Sequence, residues 1–495
     1  MAEQVYLGVD LGAESGRVVA GLWDGRRIRL EELHRFPNGG VWVGESLRWD
    51  IVRLWSEVQN GLRAAAKRFG GAVWSVGVDT WGVDFALLSA TDELVGLPFH
   101  YRDPRTRGVM ARTLKTLPKA EVFAATGLQF MEINTLFQLI ALREQHPESL
   151  AAARSFLMIP DFLNWCLSGV RSAEFTNATT TQFFNPVQRA WAVDLLRRAQ
   201  LPTDILPAVA NPGDTLGPLR ASVASRAGLS PDVRLIAPAT HDTGSAVAAV
   251  PTEATGSSRW AYISSGTWSL MGVEVKQAIL TPRALELNMT NEGGIEGTYR
   301  LLKNIMGLWL AQQCKMSFER RGSRLGYDDL VRAAQEATPL RSIVDPDDPS
   351  FLSPEDMPEA LRAWCRRAGQ PVPQTEGELI RCALESLAIK YASTLSALEE
   401  LTGASMEVVH VVGGGSQNEL LNQFTADACG CPVLAGPVEA TALGNVMVQA
   451  RAAGEIGSLG DLRRIVRDSS SLRCFVPGRR EPWLEAAGRL RRGEG

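Results

Sequence analysis

No apolar run in this sequence approaches the roughly 20 residues that a membrane-spanning helix needs. The N-terminus, Met1-Ala-Glu-Gln4, enters a strand-like segment without the positive and apolar stretches of a secretory signal. A cytoplasmic protein with no membrane partner is expected. No long basic run or arginine-rich helix is present to track a phosphodiester backbone, and the net charge is only -4, so nucleic acid is not an expected partner. The dipeptide Gly-Lys is absent, which excludes a Walker A phosphate loop. Seven cysteines, an odd number scattered from Cys166 to Cys474, do not make a disulfide framework. The Cys429-x-Cys431 pair has no second pair or nearby histidine to complete a zinc site, and the five histidines show no ligand spacing. Free thiols and no protein-held transition metal are expected. Tandem repeats and long low-complexity segments are also missing.

What is present is a chain of 495 residues, 45% hydrophobic and 21% charged, the composition of a globular enzyme. That length exceeds one hydrophobic core and predicts two large domains with a cleft between them. The polar stretch Pro251-Thr-Glu-Ala-Thr-Gly-Ser-Ser258 has no apolar period and reads as a hinge. It divides the chain into 1–250 and 251–495. Val5 to Asp10 and Val18 to Trp23 read as a hairpin around Gly12 to Gly16, and Ala261 to Ser264 with Ser269 to Val275 repeats the pattern. Strand-like runs Val73 to Asp79 and Val408 to Val412 alternate with helical ones such as Gly377 to Leu401. An α/β chain with two similar halves follows.

Six segments can carry chemistry. In Asp10-Leu-Gly12-Ala-Glu-Ser15-Gly16-Arg17 the glycines let backbone N–H groups converge on an anion, Ser15 and Arg17 add donors, and Asp10 can hold Mg²⁺ through water. By itself this segment is equally compatible with a plain hairpin turn. The turn Ser264-Ser-Gly266-Thr267 can offer donors in the same way, although polar hairpin turns are common. Val412-Gly-Gly-Gly-Ser-Gln-Asn418 precedes a helix from Glu419 to Cys429, so a flat ring or a phosphate can approach its main chain, with tight packing as the alternative. In Ala237-Pro-Ala-Thr240-His241-Asp242-Thr243-Gly-Ser245, a strand from Arg234 to Ala237 leads to a small-residue helix expected over Ser245 to Val250. Asp242 there is either a helix N-cap or, next to the hinge, a general base for phosphoryl transfer, with His241 on a neighbouring hydroxyl. Gly77 to Asp84 and Leu97 to Asp103 interleave aromatics with polar groups, as sugar sites do. Trp81 and Tyr101 are equally good core residues.

Taken together, the chain resembles the FGGY carbohydrate kinases, relatives of actin and hexokinase, over nearly its whole length. The resemblance lies in Asp10 to Arg17, Asp79-Thr-Trp-Gly-Val-Asp-Phe85, Thr240-His-Asp-Thr243, Asn291-Glu-Gly-Gly294, Lys303-Asn-Ile-Met-Gly-Leu-Trp309 and Val412 to Asn418. It implies two ribonuclease H-like domains with an active-site cleft between them, and the use of ATP and Mg²⁺. It implies nucleotide contacts at Ala13, Glu14, Ser15, Gly16, Arg17, Thr267, Gln312 and Gly414. It implies sugar contacts at Gly82, His241, Asp242, Thr243 and Asn304, with Asp242 as general base. The implied acceptor is a ketose, L-rhamnulose for the motif variant at 10–17, with L-fuculose, xylulose and glycerol as alternatives and, as a rival from another class, an actin-like module that uses ATP as a conformational switch and phosphorylates nothing. Glu14 puts a carboxylate in a loop meant for phosphates, so it has to face solvent or Mg²⁺. A monomer and a homodimer are both compatible with the sequence.

Overall fold

A computed structural model of the chain describes residues 4–257 and 259–492. Met1 to Glu3, at the expected N-terminal entry, and Ser258, at the end of the expected hinge, lie outside the described residues. The chain packs as two compact units. The first comprises residues 1–255, 274–301 and 440–469, and the second 256–273, 302–439 and 470–495. Two segments from the second half of the sequence, 274–301 and 440–469, therefore belong to the first unit.

The first unit is built on a six-stranded sheet in the order Thr215–Pro218, Arg234–Ile236, Val73–Thr80, Gln4–Leu11, Ser15–Trp23, Ile28–Pro37. Gln4–Leu11 and Ser15–Trp23 form an antiparallel hairpin, while Val73–Thr80 runs parallel to Gln4–Leu11 and Arg234–Ile236 parallel to Val73–Thr80. Gln4–Leu11 is buried from Val5 onward, which explains its nearly unbroken apolar sequence, since a strand covered on both faces gains nothing from alternation. The helix Ile51–Phe69 covers one face with Ile51, Leu54, Val58, Leu62 and Ala65, an apolar stripe at helical spacing. Asp50 caps its start by accepting the Arg53 N–H at 3.1 Å.

The second unit repeats the plan. The second sheet, of seven strands, runs in the order Thr290–Gly293, Tyr299–Met306, Trp268–Val275, Trp260–Ser265, Val408–Val412, Val433–Ala435, Arg473–Phe475. Again a hairpin, Trp260–Ser265 with Trp268–Val275, is followed by parallel Val408–Val412 and then parallel Val433–Ala435. The helix before the parallel strand is Glu376–Thr402, closed at its start by a Thr375/Glu378 capping box and at its end by Gly403 at φ 67. Each unit is a hairpin extended by parallel strands with a long helix crossing between, the ribonuclease H-like plan, and the two carry the actin-like architecture.

The expected bounds need two corrections. Both first-hairpin strands are longer than the apolar runs suggest, and the turn shrinks to Gly12, Ala13 and Glu14, because Asp10 pairs with Arg17 and Leu11 with Gly16. The expected Ser245 to Val250 helix is Asp242–Ala248. It starts three residues early because the Ser245 N–H already donates to the His241 carbonyl at 3.1 Å. All seven cysteines are free, and Cys429 and Cys431 are both buried. No helix among the described residues is long and apolar enough to cross a membrane.

Candidate active site

In the first unit, the C-terminal ends of the parallel strands gather most of the residues singled out from the sequence. Asp10 stands opposite Asp79 in the parallel register. Thr80 bridges to His241 and donates its N–H to the Thr240 carbonyl at 2.9 Å. Asp10, Asp79, Gly82, His241, Asp242 and Thr243 thus share the sheet edge at which α/β proteins receive ligands.

The turn bearing His241 and Asp242 is held from below by a buried carboxylate. Glu174 Oε2 accepts the Thr240 N–H at 2.9 Å and its hydroxyl at 2.8 Å, and Glu174 also accepts the Thr176 N–H at 2.9 Å. Thr176 passes the support on by accepting the His241 N–H at 3.1 Å. Asp242 is the first residue of its helix and His241 occupies the N-cap position without a side-chain capping bond. Asp242 is therefore not the N-cap that the sequence allowed. Its Oδ1 accepts the Thr243 N–H at 2.6 Å and the Thr243 hydroxyl at 3.2 Å, and 30% of the side chain remains exposed. That combination leaves Oδ2 available to a bound molecule.

Burial pushes the Asp242 carboxyl above its ordinary range; His241 counteracts this and the charge of Asp10 adds to it. Burial and then the charge of Asp10 push Asp79 up as well, partly offset by a 2.5 Å hydrogen bond from Asn445 Nδ2, with Asp242 adding to the rise. Asp79 and Asp242 are both raised in part by the charge of Asp10, so the cluster gains from a cation. Asp10 is gripped by Arg17, whose Nε and Nη2 donate to Oδ2 at 3.0 and 2.8 Å, and Asp79 Oδ1 is buried without a hydrogen-bond partner. No group of three or more His, Cys, Asp or Glu side chains poised to hold a metal directly occurs among the described residues. This donor set suits Mg²⁺, which keeps most of its water and binds through one or two carboxylates and substrate phosphates.

At the first turn, the Gly12 N–H closes the hairpin on the Ser15 carbonyl at 2.9 Å. Asn38 braces it, donating Nδ2 to the Gly12 carbonyl at 2.7 Å and its N–H to the Glu14 carbonyl at 2.9 Å. Glu14 and Ser15 are exposed, Ala13 and Arg17 half-buried and Gly16 buried. Glu14 thus faces solvent at the tip of the turn. Arg17 reaches Asp10 because the two are cross-strand partners, a pairing that the expectation of Arg17 as a phosphate donor did not include.

Thr267, Asn304, Gln312 and Gly414 belong to the second unit. There the hairpin turn meets the start of helix Trp309–Arg320, where the Gly307 and Trp309 N–H groups donate to the Thr267 carbonyl at 3.1 and 3.2 Å. Gln312 lies in the first turn of that helix with Oε1 buried and unpartnered. The glycine run packs directly on the hairpin: a Cβ on Gly415 would fall 2.0 Å from Ser265 Oγ, whereas one on Gly414 would meet nothing within 4 Å. Gly415 serves close packing, whereas Gly414 leaves its main chain open.

Trp81 and Tyr101 are core residues. Trp81 lies on Trp49, ring centroids 4.0 Å apart, and His100 stacks between Trp49 and Tyr101 at 4.2 and 4.5 Å. Buried Asp84 accepts from Trp49 Nε1 at 2.6 Å, Trp81 Nε1 at 3.0 Å and Gln138 Nε2 at 2.9 Å. Next to Gly82, Val83 adopts φ 67, a left-handed conformation costly for a β-branched residue. It is enforced by Thr180, whose hydroxyl accepts the Val83 N–H at 3.1 Å, and by Thr135, whose hydroxyl donates to the Val83 carbonyl at 2.7 Å. Sequence reasoning assigned no role to Glu174, Thr176, Glu292 or Arg300. The available signal was a glutamate within the short strand Thr290–Gly293, but nothing in linear spacing ties it to His241.

Residues 5–249 match the N-terminal domain of the FGGY family of carbohydrate kinases and residues 261–453 its C-terminal domain. The chain belongs to the FGGY family of carbohydrate kinases, enzymes that use ATP with Mg²⁺. Among its relatives, the rhamnulokinase of Bacteroides thetaiotaomicron is 43% identical over 481 residues, covering 97% of each chain. That of Oceanobacillus iheyensis is 42% identical, covering 96% of this chain and 98% of its own. In fold the chain is similar to a gluconate kinase from Lactobacillus acidophilus, with TM-score 0.79 at 15% identity over 99% of this chain and 96% of that one. Glycerol kinase of Plasmodium falciparum with ADP gives TM-score 0.79 at 13% identity over 99% and 98%.

Proposed function

We propose that this protein transfers the γ-phosphoryl group of ATP to the 1-hydroxyl of L-rhamnulose, giving L-rhamnulose 1-phosphate and ADP in the cytoplasm. The observation that carries this reading is identity of 40–43% to several rhamnulokinases over nearly the full chain, joined to a half-open Asp242 carboxylate at a helix start beside His241. Residues 1–250 are assigned the sugar site and the first phosphate turn, and 251–495 the nucleotide site.

Phosphoryl transfer demands an acceptor oxygen in line and a late proton acceptor more than covalent help. Asp242 Oδ2 takes the proton of the 1-hydroxyl while Thr243 holds Oδ1 and so fixes the carboxylate plane. His241 accepts a neighbouring hydroxyl, and Gly82, Thr243 and Asn304 complete the sugar contacts. Ala13 to Arg17, Thr267, Gln312 and Gly414 are assigned to the nucleotide. Mg²⁺, near Asp10, supplies neutralisation of phosphoryl charge when bound.

Coupled detection of ADP with a panel of L-rhamnulose, L-fuculose, xylulose and glycerol tests the substrate. L-Rhamnulose should give the highest kcat/KM, and a preference for any of the others overturns the assignment. Because a base has to be ionised to work, the raised Asp242 carboxyl places the acid limb of the kcat profile above the ordinary carboxylate range. Turnover should fall as pH drops through that limb, and a profile flat down to the range of free carboxylates would remove Asp242 from the role.

A further inference from the structure

Helix Ala440–Ala452 of the first unit lays two amide side chains against the strand that carries Asp79. Gly8 and Gly77 are partners in the parallel register, as are Asp10 and Asp79 two residues on, so all four share one face of the sheet. The bare glycines admit the helix: a Cβ on Gly77 would fall 2.6 Å from Gln449 Nε2 and 2.7 Å from Asn445 Oδ1. In that space Asn445 Nδ2 donates to the Gly77 carbonyl at 3.2 Å and to Asp79 Oδ2 at 2.5 Å. Its Oδ1 accepts from Gln449 Nε2 at 2.6 Å. Gln449 is pinned in turn, Nε2 donating to the Leu7 carbonyl at 3.0 Å and Oε1 accepting the Ser75 hydroxyl at 2.5 Å. Ser75, Asp79, Asn445 and Gln449 are all fully buried.

This network has one orientation. Both amide hydrogens of Asn445 and both of Gln449 are spent, and turning the Asn445 amide over would set its oxygen against a carbonyl and a carboxylate, neither of which can donate. Asp79 Oδ2 is therefore held in place. The open end is Asp79 Oδ1, buried without a hydrogen-bond partner. A bare carboxylate oxygen in the interior is costly, and a native site that keeps one has a water or an ion to set against it. The charges of Asp10 and Asp242 both reach Asp79, which favours a cation over a neutral occupant.

We propose that Asp79 Oδ1 is a further protein anchor for Mg²⁺, acting beside Asp10 through a water of the ion's shell, and that Asn445, backed by Gln449 and Ser75, is the positioning residue that turns Asp79 to it. The proposal rests on the assignment of Asp10 to the metal. An ion that keeps several of its waters has room for two such carboxylates as well as the nucleotide's phosphates.

Mn²⁺ in place of Mg²⁺ reads the metal itself: it is titrated into the full chain with ADP, and free Mn²⁺ is followed by electron paramagnetic resonance. Asp79→Asn keeps an acceptor facing Asn445 and should weaken Mn²⁺ binding about 10- to 100-fold, with ADP affinity in the absence of metal unchanged. Asn445→Leu should also weaken Mn²⁺ binding, yet add little in the Asp79→Asn background, because residues that act through one contact are not additive. If Asn445→Leu does not fold, Asn445→Ser, too short to reach Asp79, takes its place. Wild-type Mn²⁺ affinity in Asp79→Asn overturns the proposal and leaves Oδ1 to an ordered water. An Asn445 variant with wild-type affinity, or with the same loss whether or not Asp79 is present, removes Asn445 from the positioning role. Asp10→Asn separates the underlying assignment. If that variant also binds Mn²⁺ as the wild type does, the metal lies elsewhere and the role of Asp10 fails; if it alone is impaired, Asp10 stands and the proposal falls.

Discussion

Asp242→Asn should lower kcat by about 10²- to 10⁴-fold while KM for the sugar changes little. That loss corresponds to about 3–5 kcal/mol of barrier. Asn is the informative substitution because its Oδ1 can still accept the Thr243 N–H, which the Asp242 carboxylate takes at 2.6 Å, so geometry stays and the proton acceptor goes. Stability supplies an internal control. Burial raises the Asp242 carboxyl in the folded chain above its unfolded value. A group of that kind contributes stability that is complete below the unfolded pKa and is lost as pH rises through the folded one. Near neutral pH the ionised carboxylate is thus a liability to the fold, also facing the charges of Asp10 and Asp79. The Asn variant should therefore melt at or above the wild-type temperature at pH 7, with the gap closing as pH falls into the ordinary carboxylate range. A dead enzyme that also melts early would mean that the residue holds the turn together; near-normal turnover would dismiss it as the base.

That liability helps to explain which parts of the site the sequence discloses. The strands Val73–Thr80 and Val408–Val412 and the helix Glu376–Thr402 are legible because burial on both faces or along one stripe imposes a composition and a period. Asp242 is legible because a carboxylate at a strand-to-helix junction is a local feature. The helix starts at Asp242 instead of Ser245 because Thr243 and Gly244 read as turn residues by propensity, whereas the Glu174 carboxylate beneath Thr240 commits the backbone to turn earlier. Glu174 is 66 positions from Thr240 and Arg300 is 59 from His241, and no pattern in the linear chain joins residues that only the folded sheet brings together. The turn is confined to 12–14, shorter than the 12–16 that glycine and serine advertise, because the pairing of Asp10 with Arg17 is a cross-strand property. Glu14 could face outward only once that pairing had fixed which residues form the tip.

Gly444→Ala should be nearly as damaging as loss of the base, by a route the sequence hides. Helix Ala440–Ala452 lies in the first unit and packs on helix Asp242–Ala248. Its residues from Ala442 to Ala450 are buried on every side, so no apolar stripe marks the face that matters. A Cβ on Gly444 would fall 1.8 Å from the Ser245 carbonyl oxygen and 2.6 Å from its carbon. Those atoms are backbone and cannot swing aside as a side-chain tip can, so the two helices have to part. Overpacking of this kind costs about 3 kcal/mol, and a fall in melting temperature of several degrees is expected. The consequence for catalysis is more specific than the loss of stability. Ser245 is one helical turn from Asp242, its N–H is bonded to the His241 carbonyl at 3.1 Å and its hydroxyl donates to the Ala239 carbonyl at 2.7 Å. Displacing Ser245 therefore drags the 239–242 turn, and a misplacement of about 1 Å at the reacting groups costs about 10²-fold in rate. Turnover measured well below the variant's melting temperature separates the two effects. A kcat reduced by about 10²-fold in a fully folded sample ties the helix contact to the placement of Asp242, whereas wild-type kcat with a lowered melting temperature confines Gly444 to packing.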